Sequence, residues 1–238
     1  VDGDGDGSDH VAAGTISVSD SDGSGKFASA KVSPVVDDGS YLGSFTLSDT
    51  GDGTLDWEFT VDEEAIDALA EGEVLTQEYL VTVTDSEGVS TAETVTITIN
   101  GRNDTPVALN DTSLIAAGGT AVMNVLENDS DVDNGDTARW SVTHVDGQPI
   151  TAGSPIVLSE GRGTVSLNDA GELTFVPGAD FTGQLTLPYT VDDGSGAVNA
   201  TSTADWVITV AGIAFKDDAS PTDPAAGDDI LSTLDDIE

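Results

Sequence analysis

The chain contains no cysteine, so no disulfide can hold it together and a secreted domain of this composition must find its stability elsewhere. Basic residues are nearly missing as well. Six Lys and Arg stand against 45 Asp and Glu, a formal charge of −39. That balance removes the basic face on which nucleic-acid binding depends and opposes docking on anionic lipid. No apolar run approaches the ~18 residues of a membrane span, and no leader peptide starts the chain, so membrane insertion is not expected. Aromatic residues make up 5% of the 238 residues, which implies small, aliphatic cores. The histidines, His10 and His144, are far apart in sequence and lack cysteine or HExxH company, which argues against a zinc centre. No G-x-S-x-G elbow is present. The glycines at 117–120 and 161–163 lack the strand–GxxxxGK–helix context of a phosphate loop. Carboxylate pairs for glycoside hydrolysis would have to come from hydrated turns rather than an aromatic-lined cleft. Enzymatic activity is therefore not expected.

What the chain does have is acid and alternation. A compact chain of such charge repels itself, and it unfolds, sits in high salt or collects cations. High charge is also the mark of disorder, but Val, Ile and Thr alternate with polar residues over most of the length. Thr15–Val18 alternates and Asp20-Ser21-Asp22-Gly23 breaks it. Phe45 and Leu47 point inward in the next strand. Leu55, Trp57, Phe59 and Val61 share a face at period two, as do Tyr79, Val81 and Val83, and Val95, Ile97 and Ile99. Turns recur every 8–15 residues, as expected of a β-sandwich. One segment departs from this. Asp62–Gly72 (DEEAIDALAEG) carries an N-cap residue, acids in the first turn and a terminal glycine, and predicts one short helical turn.

Residues 104–211 repeat the β grammar. Strands are predicted at Ala121–Leu126, Trp140–Val145, Ile156–Leu158, Thr164–Leu167, Leu173–Val176, a run carrying Leu185, Leu187, Tyr189 and Val191, and Asp205–Val210. An acidic loop, ENDSDVDNGD, occupies 127–136. Period two makes Trp57 and Trp206 core residues and leaves Trp140 the least explained. Residues 212–238 fall out of pattern and read as a linker or tail. The first 13 residues read as an acidic linker. Their Asp2, Asp4, Asp6, Gly7 spacing resembles the start of an EF-hand loop, but Ala13 stands where the bidentate Glu belongs. The opening stretch, VDGDGDGSDH, suggests a piece of something longer.

The stretch Asn100–Pro106 (NGRNDTP) joins the two β-rich halves, and its proline cannot enter a strand ladder. Calcium takes six to eight oxygens, from carboxylates, amides and carbonyls, at ~2.3–2.6 Å. Such a shell is most easily built where loops converge at the end of a sandwich. The loops starting at Asp62 and Asp85 are expected at one end of the first domain, beside Asn103 and Asp104 in the connector. Asp129, Asp131 and Asp133 lie on an acidic loop that can turn alternate carboxylates to one ion. Asp20, Asp22 and Asp192 with Asp193 are further candidates. Each has a competing role: Asp62 as a helix cap, the others as turn residues.

Several longer stretches resemble known modules. Residues 14–106 resemble a VCBS-type repeat of large bacterial surface adhesins. The matching pieces are Gly14-Thr15-Ile16, the DSDG turn at 20–23, YLGSFTL at 41–47, Trp57 to Asp62, ALAEGE at 68–73, YLVTVTDSEG at 79–88 and TVTITINGRNDTPVA at 94–108. Residues 104–211 resemble the cadherin-like tandem repeat of the same RTX-type adhesins, through VLENDSDVD at 125–133, GTVSLNDAGELTFVPGADFTG at 163–183 and LPYTVDDGSG at 187–196. The resemblance implies an all-β chain of two tandem Ig-like or cadherin-like β-sandwiches, 14–103 and 104–211, joined by a short linker. It implies a monomeric, calcium-binding extender on the bacterial cell surface, serving adhesion and biofilm formation, with neighbouring domains of the same adhesin as partners. The division of labour among base loop, linker and D-x-D loop resembles that of cadherin joints. The chain departs from the pattern after Val210, where an Asn-Asp-x-Pro joint is absent, and it has no glycine-rich RTX nonapeptides. That irregular junction supports an alternative expectation, a module near the adhesin tip that binds a host or biofilm glycan or peptide.

Overall fold

A computed structural model describes residues 9–19, 27–36, 38–51, 53–133, 135 and 139–212. Asp20, Asp22, the acidic run at 2–6 and the tail beyond residue 212 lie outside the described residues. The chain is all-β and forms two compact units. Unit 1 comprises Val1–Val107 together with Ser130–Trp140 and Asp192–Ser202, and unit 2 holds the rest.

Unit 1 has six strands, β1 (His10–Ser17), β2 (Phe27–Pro34), β3 (Ser44–Asp49), β4 (Thr54–Val61), β5 (Val74–Asp85) and β6 (Ser90–Asn100). They form two three-stranded sheets, β1-β4-β3 and β2-β5-β6. β-branched and aromatic residues fit the pleated, half-buried surface of such sheets. The period-two rows of the sequence become the core. Phe59 and Val61 from one sheet pack with Tyr79, Ile97 and Ile99 from the other, and Trp57 and Phe45 lean on them. Phe45 stacks on Trp57 with ring centroids 5.4 Å apart. Gln77 is the polar exception, buried among these side chains, and its amide bonds both the N–H and the carbonyl of Leu42. An amide can thus imitate a missing strand and leave no buried polar group unpaired. β1 begins at His10, inside the stretch read as linker, because its whole length pairs with β4 from His10↔Val61 to Ser17↔Thr54.

The predicted helical turn is a single 3₁₀ turn at Glu63–Ala65, capped by the Asp62 carboxylate, which accepts from the Glu64 N–H at 3.0 Å. His10 and Glu63 bond side chain to side chain, tying the start of β1 to this turn. Further on, Gly101 sits so close to the Leu69 and Ala70 carbonyls that a Cβ would collide with both. The connector therefore runs flush against the segment after the turn.

Unit 2 contains β7 (Asp111–Ala116), β8 (Ala121–Met123), β9 (Ser141–Val145), β10 (Gln148–Pro149), β11 (Ile156–Leu158), β12 (Gly163–Leu167), β13 (Leu173–Pro177) and the greater part of β14 (Gly183–Asp192) and β15 (Thr201–Ala211). One sheet runs β10-β9-β14-β15-β7 and the other β11-β12-β13-β8. β7 and β15 run parallel from Asp111↔Trp206 to Ala116↔Ala211. The core holds Leu185, Leu187, Tyr189 and Val191 of β14, Trp206, Ile208 and Val210 of β15, and Leu173 and Phe175 of β13. β8 ends at Met123, short of the predicted Leu126. Asn124 intervenes, its side-chain oxygen accepting from the Leu126 N–H at 3.3 Å, and such a local bond competes with the ladder.

Candidate cation site in unit 1

Three segments meet at one end of unit 1: the connector 103–106, the loop 130–133 and the turn 192–199. The connector is tied to the loop by a Val107–Ser130 bridge and by the Asp104 N–H, which donates to Asp133 Oδ2 at 2.8 Å. It is tied to the turn by Asn199, whose Nδ2 donates to the Asn103 carbonyl at 2.7 Å. Asn103 is the hub and is buried. Its N–H donates to Glu71 Oε2 at 3.3 Å, and its Nδ2 faces Asp193 Oδ2 at 3.0 Å, Asn199 Oδ1 at 3.5 Å and the Asp104 carbonyl. An amide nitrogen surrounded by three oxygens stands where positive charge is wanted. Its own oxygen, Oδ1, is buried without a partner.

The carboxylates show the same imbalance. Asp133 is 4% exposed and Asp193 fully buried. Asp131 Oδ1 accepts from the Asp133 N–H at 3.1 Å, but Asp131 Oδ2 and Asp133 Oδ1 are buried with no donor among the described residues. Burial, followed by the mutual repulsion of Asp104, Asp131 and Asp193, pushes the Asp133 carboxyl up to about 6. Burial first, then Asp193, raises Asp131. Burial, then Asp67, Asp131 and Glu63, raises Asp104. Unpaired buried carboxylates are costly, and such a cluster is relieved by protons or by a cation. The donors fit a hard cation, since all are oxygens from carboxylates, an amide and backbone carbonyls. Among the described residues no three His, Cys, Asp or Glu side chains are assembled to hold a metal ion. A shallow cavity of about 570 Å³ opens beside them, lined by Glu71, Arg102, Asn103, Ser195, Val198 and Asn199.

The structure sorts the sequence candidates. Asn103, Asp104, Asp131 and Asp133 meet. Asp192 stays in its turn, accepting from the Gly194 N–H at 2.8 Å, while its neighbour Asp193 turns inward. Asp62 caps the 3₁₀ turn and is exposed. Asp129 belongs to unit 2, where Oδ1 accepts from the Leu109 N–H at 2.7 Å. Asp85 corrects the expectation that its loop shares an end with Asp62. β5, twelve residues long, enters at Val74, opposite Asn100, and leaves at Asp85. At ~3.3 Å per residue that is roughly the length of the sandwich away from the connector. There Asp85 shapes the hairpin, accepting from Glu87 and Val89 N–H at 2.8 Å each. Sequence reasoning left out Asp67 and Asn199 as site residues, and for Glu63 it set the helical turn against a place in the site. Their signal was position in the segments flanking strand ends, which pattern alone does not separate from ordinary turns.

No curated protein matches the chain. Among solved structures it is similar to protocadherin gamma B7 extracellular cadherin domains 1–4 (17% identity, 78% of this chain, 42% of that chain, TM-score 0.41). A mouse clustered protocadherin EC1–3 structure is likewise similar (17%, 79%, 56%, TM-score 0.42), as is an endo-fucoidan hydrolase of glycoside hydrolase family 107 (16%, 84%, 31%, TM-score 0.28). The chain thus spans less than two thirds of the solved chains it resembles, and at these TM-scores the likeness carries no further argument. By sequence, residues 103–212 match the family described as a bacterial cadherin-like domain.

Proposed function

We propose that the chain is a non-catalytic, calcium-rigidified extender of a bacterial surface adhesin, working outside the cell in adhesion and biofilm formation. The observation that carries this reading is the set of buried, donorless oxygens on Asn103, Asp131 and Asp133, gathered among carboxylates whose ionisation burial opposes. Asn103, Asp104, Asp131, Asp133 and Asp193 would hold the ion, with Glu63 and Asp67 adding negative field. Calcium would supply charge neutralisation and a fixed point between the connector and the loops at 130–133 and 192–199. Those segments continue in sequence into strands of the bacterial cadherin-like stretch, so locking them would stiffen the chain. Extracellular modules bind calcium with dissociation constants on the order of 10⁻⁴–10⁻³ M, so the rod would set outside the cell and relax in the cytosol. Calorimetric calcium titration with small-angle scattering in calcium and in chelator tests it. Binding with a longer, stiffer particle is the expected result, and identical scattering and melting in both conditions would sink the idea.

The cavity beside Arg102 and Asn199 supports a second reading, recognition of a glycan or peptide. A glycan array run with calcium checks it, since reproducible ligands would promote this reading over the extender.

A further inference from the structure

We infer that Asp111 and Tyr189 form a proton-operated latch in unit 2, closed when Asp111 carries a proton and loosened when it does not. The argument is a count of protons. The Tyr189 hydroxyl is buried and lies against three oxygens: the Leu109 carbonyl at 2.8 Å, Asp111 Oδ2 at 3.0 Å and the Val125 carbonyl at 3.1 Å. A phenol has one proton to give, and neither carbonyl can give one back. Only the Asp111 carboxyl can, by donating to the phenol oxygen and freeing the tyrosine proton for Leu109 or Val125. Asp111 opens β7 and is itself buried. Among the described residues the charged groups bearing on the phenol are Asp111, Asp129 and, on β15, Asp205, and those bearing on Asp111 are likewise acidic, Glu127 and Asp129 from the loop after β8. Burial and then these carboxylates raise Asp111, against the pull of the tyrosine bond. Burial and the same neighbours hold the phenol protonated.

Once Asp111 ionises, the single tyrosine proton is drawn to the carboxylate, and the Leu109 and Val125 carbonyls lose their donor. The segments 108–110 and 124–126 are then held less tightly to β14. The folded carboxyl is raised above its unfolded value, so the latch contributes fully below the ordinary aspartate range and is lost as pH rises through the folded pKa.

The test is a ¹³C-carboxyl NMR titration of the full chain, in calcium and in calcium-free buffer, with amide-exchange protection at Leu109 and Leu126 followed across the same pH range. Asp111 should titrate above the ordinary aspartate range in both buffers, with protection falling as it ionises. Asp111→Asn, whose amide donates at every pH, should melt above the wild type at neutral pH and lose that advantage in acid. Titration of Asp111 at or below the ordinary range, protection that ignores its titration, or a constant melting difference between the two proteins would overturn the latch.

Discussion

Replacing Asp133 with asparagine should stabilise unit 1 in the absence of calcium and diminish the further stabilisation that calcium brings. The Asp133 carboxyl moves from an ordinary 3.8 to about 6 in the folded chain. Each unit corresponds to ~1.4 kcal/mol, so its ionisation costs on the order of 3 kcal/mol at neutral pH. Because the folded value is the higher one, the benefit of the proton is complete below the unfolded pKa and lost as pH rises through about 6. Asparagine cannot ionise, and its oxygen still accepts from the Asp104 N–H that Asp133 now receives at 2.8 Å. In calcium-free buffer at neutral pH, Asp133→Asn should therefore melt higher, by about 12 °C at most, taking ~4 °C per kcal/mol. Below pH ~4 the two proteins should converge. With calcium the variant's advantage shrinks, because a charged ligand is gone. At an ion concentration of 100 times the original dissociation constant, a tenfold weaker site lowers the stabilisation from ~2.7 to ~1.4 kcal/mol. Calorimetric melts between acid and neutral pH, with calcium and after its removal, read both halves. A lower calcium-free melting temperature in the variant, or an undiminished gain on adding calcium, would refute the reasoning.

Asp193→Asn should weaken calcium binding about tenfold or more, as loss of a charged ligand does, whereas Asp192→Asn should leave it within about twofold, since Asp192 only caps its turn; isothermal titration of both separates neighbours that pattern cannot. Asp85→Ala should leave calcium affinity unchanged and cost roughly 1 kcal/mol of stability through its two lost turn bonds, which chemical denaturation measures. Gln77→Leu strands the Leu42 N–H and carbonyl and should destabilise unit 1 by about 2 kcal/mol, visible as a lower urea midpoint at an unchanged m-value.

The strands were legible because each inward row is written at period two. Leu55, Trp57, Phe59 and Val61 pack inward as their spacing dictates, and so do Trp206, Ile208 and Val210. The 3₁₀ turn at Glu63–Ala65 was legible from its cap and first-turn acids. Boundaries were less so. His10–Ala13 joins β1 through backbone pairing with β4, which an alanine-rich stretch does not advertise. Trp140 stays outside β9, half-buried, with an indole N–H that has no partner.

Sequence by itself determined the all-β class, the alternating cores, the excess of oxygen ligands and the scarcity of basic groups to neutralise them, because those depend on residue type and local spacing. Which acids meet was decided only by tertiary structure. Antiparallel pairing sends Asp85 to the end of β5 away from Asn100 and brings the connector beside Asp133 and Asp193. A turn rotates Asp193 inward and leaves its neighbour to cap. Whether a carboxylate is a solvated turn residue or a buried, donorless ligand depends on what folds over it, and that partner lies as many as ninety residues away for Asn103 and Asp193.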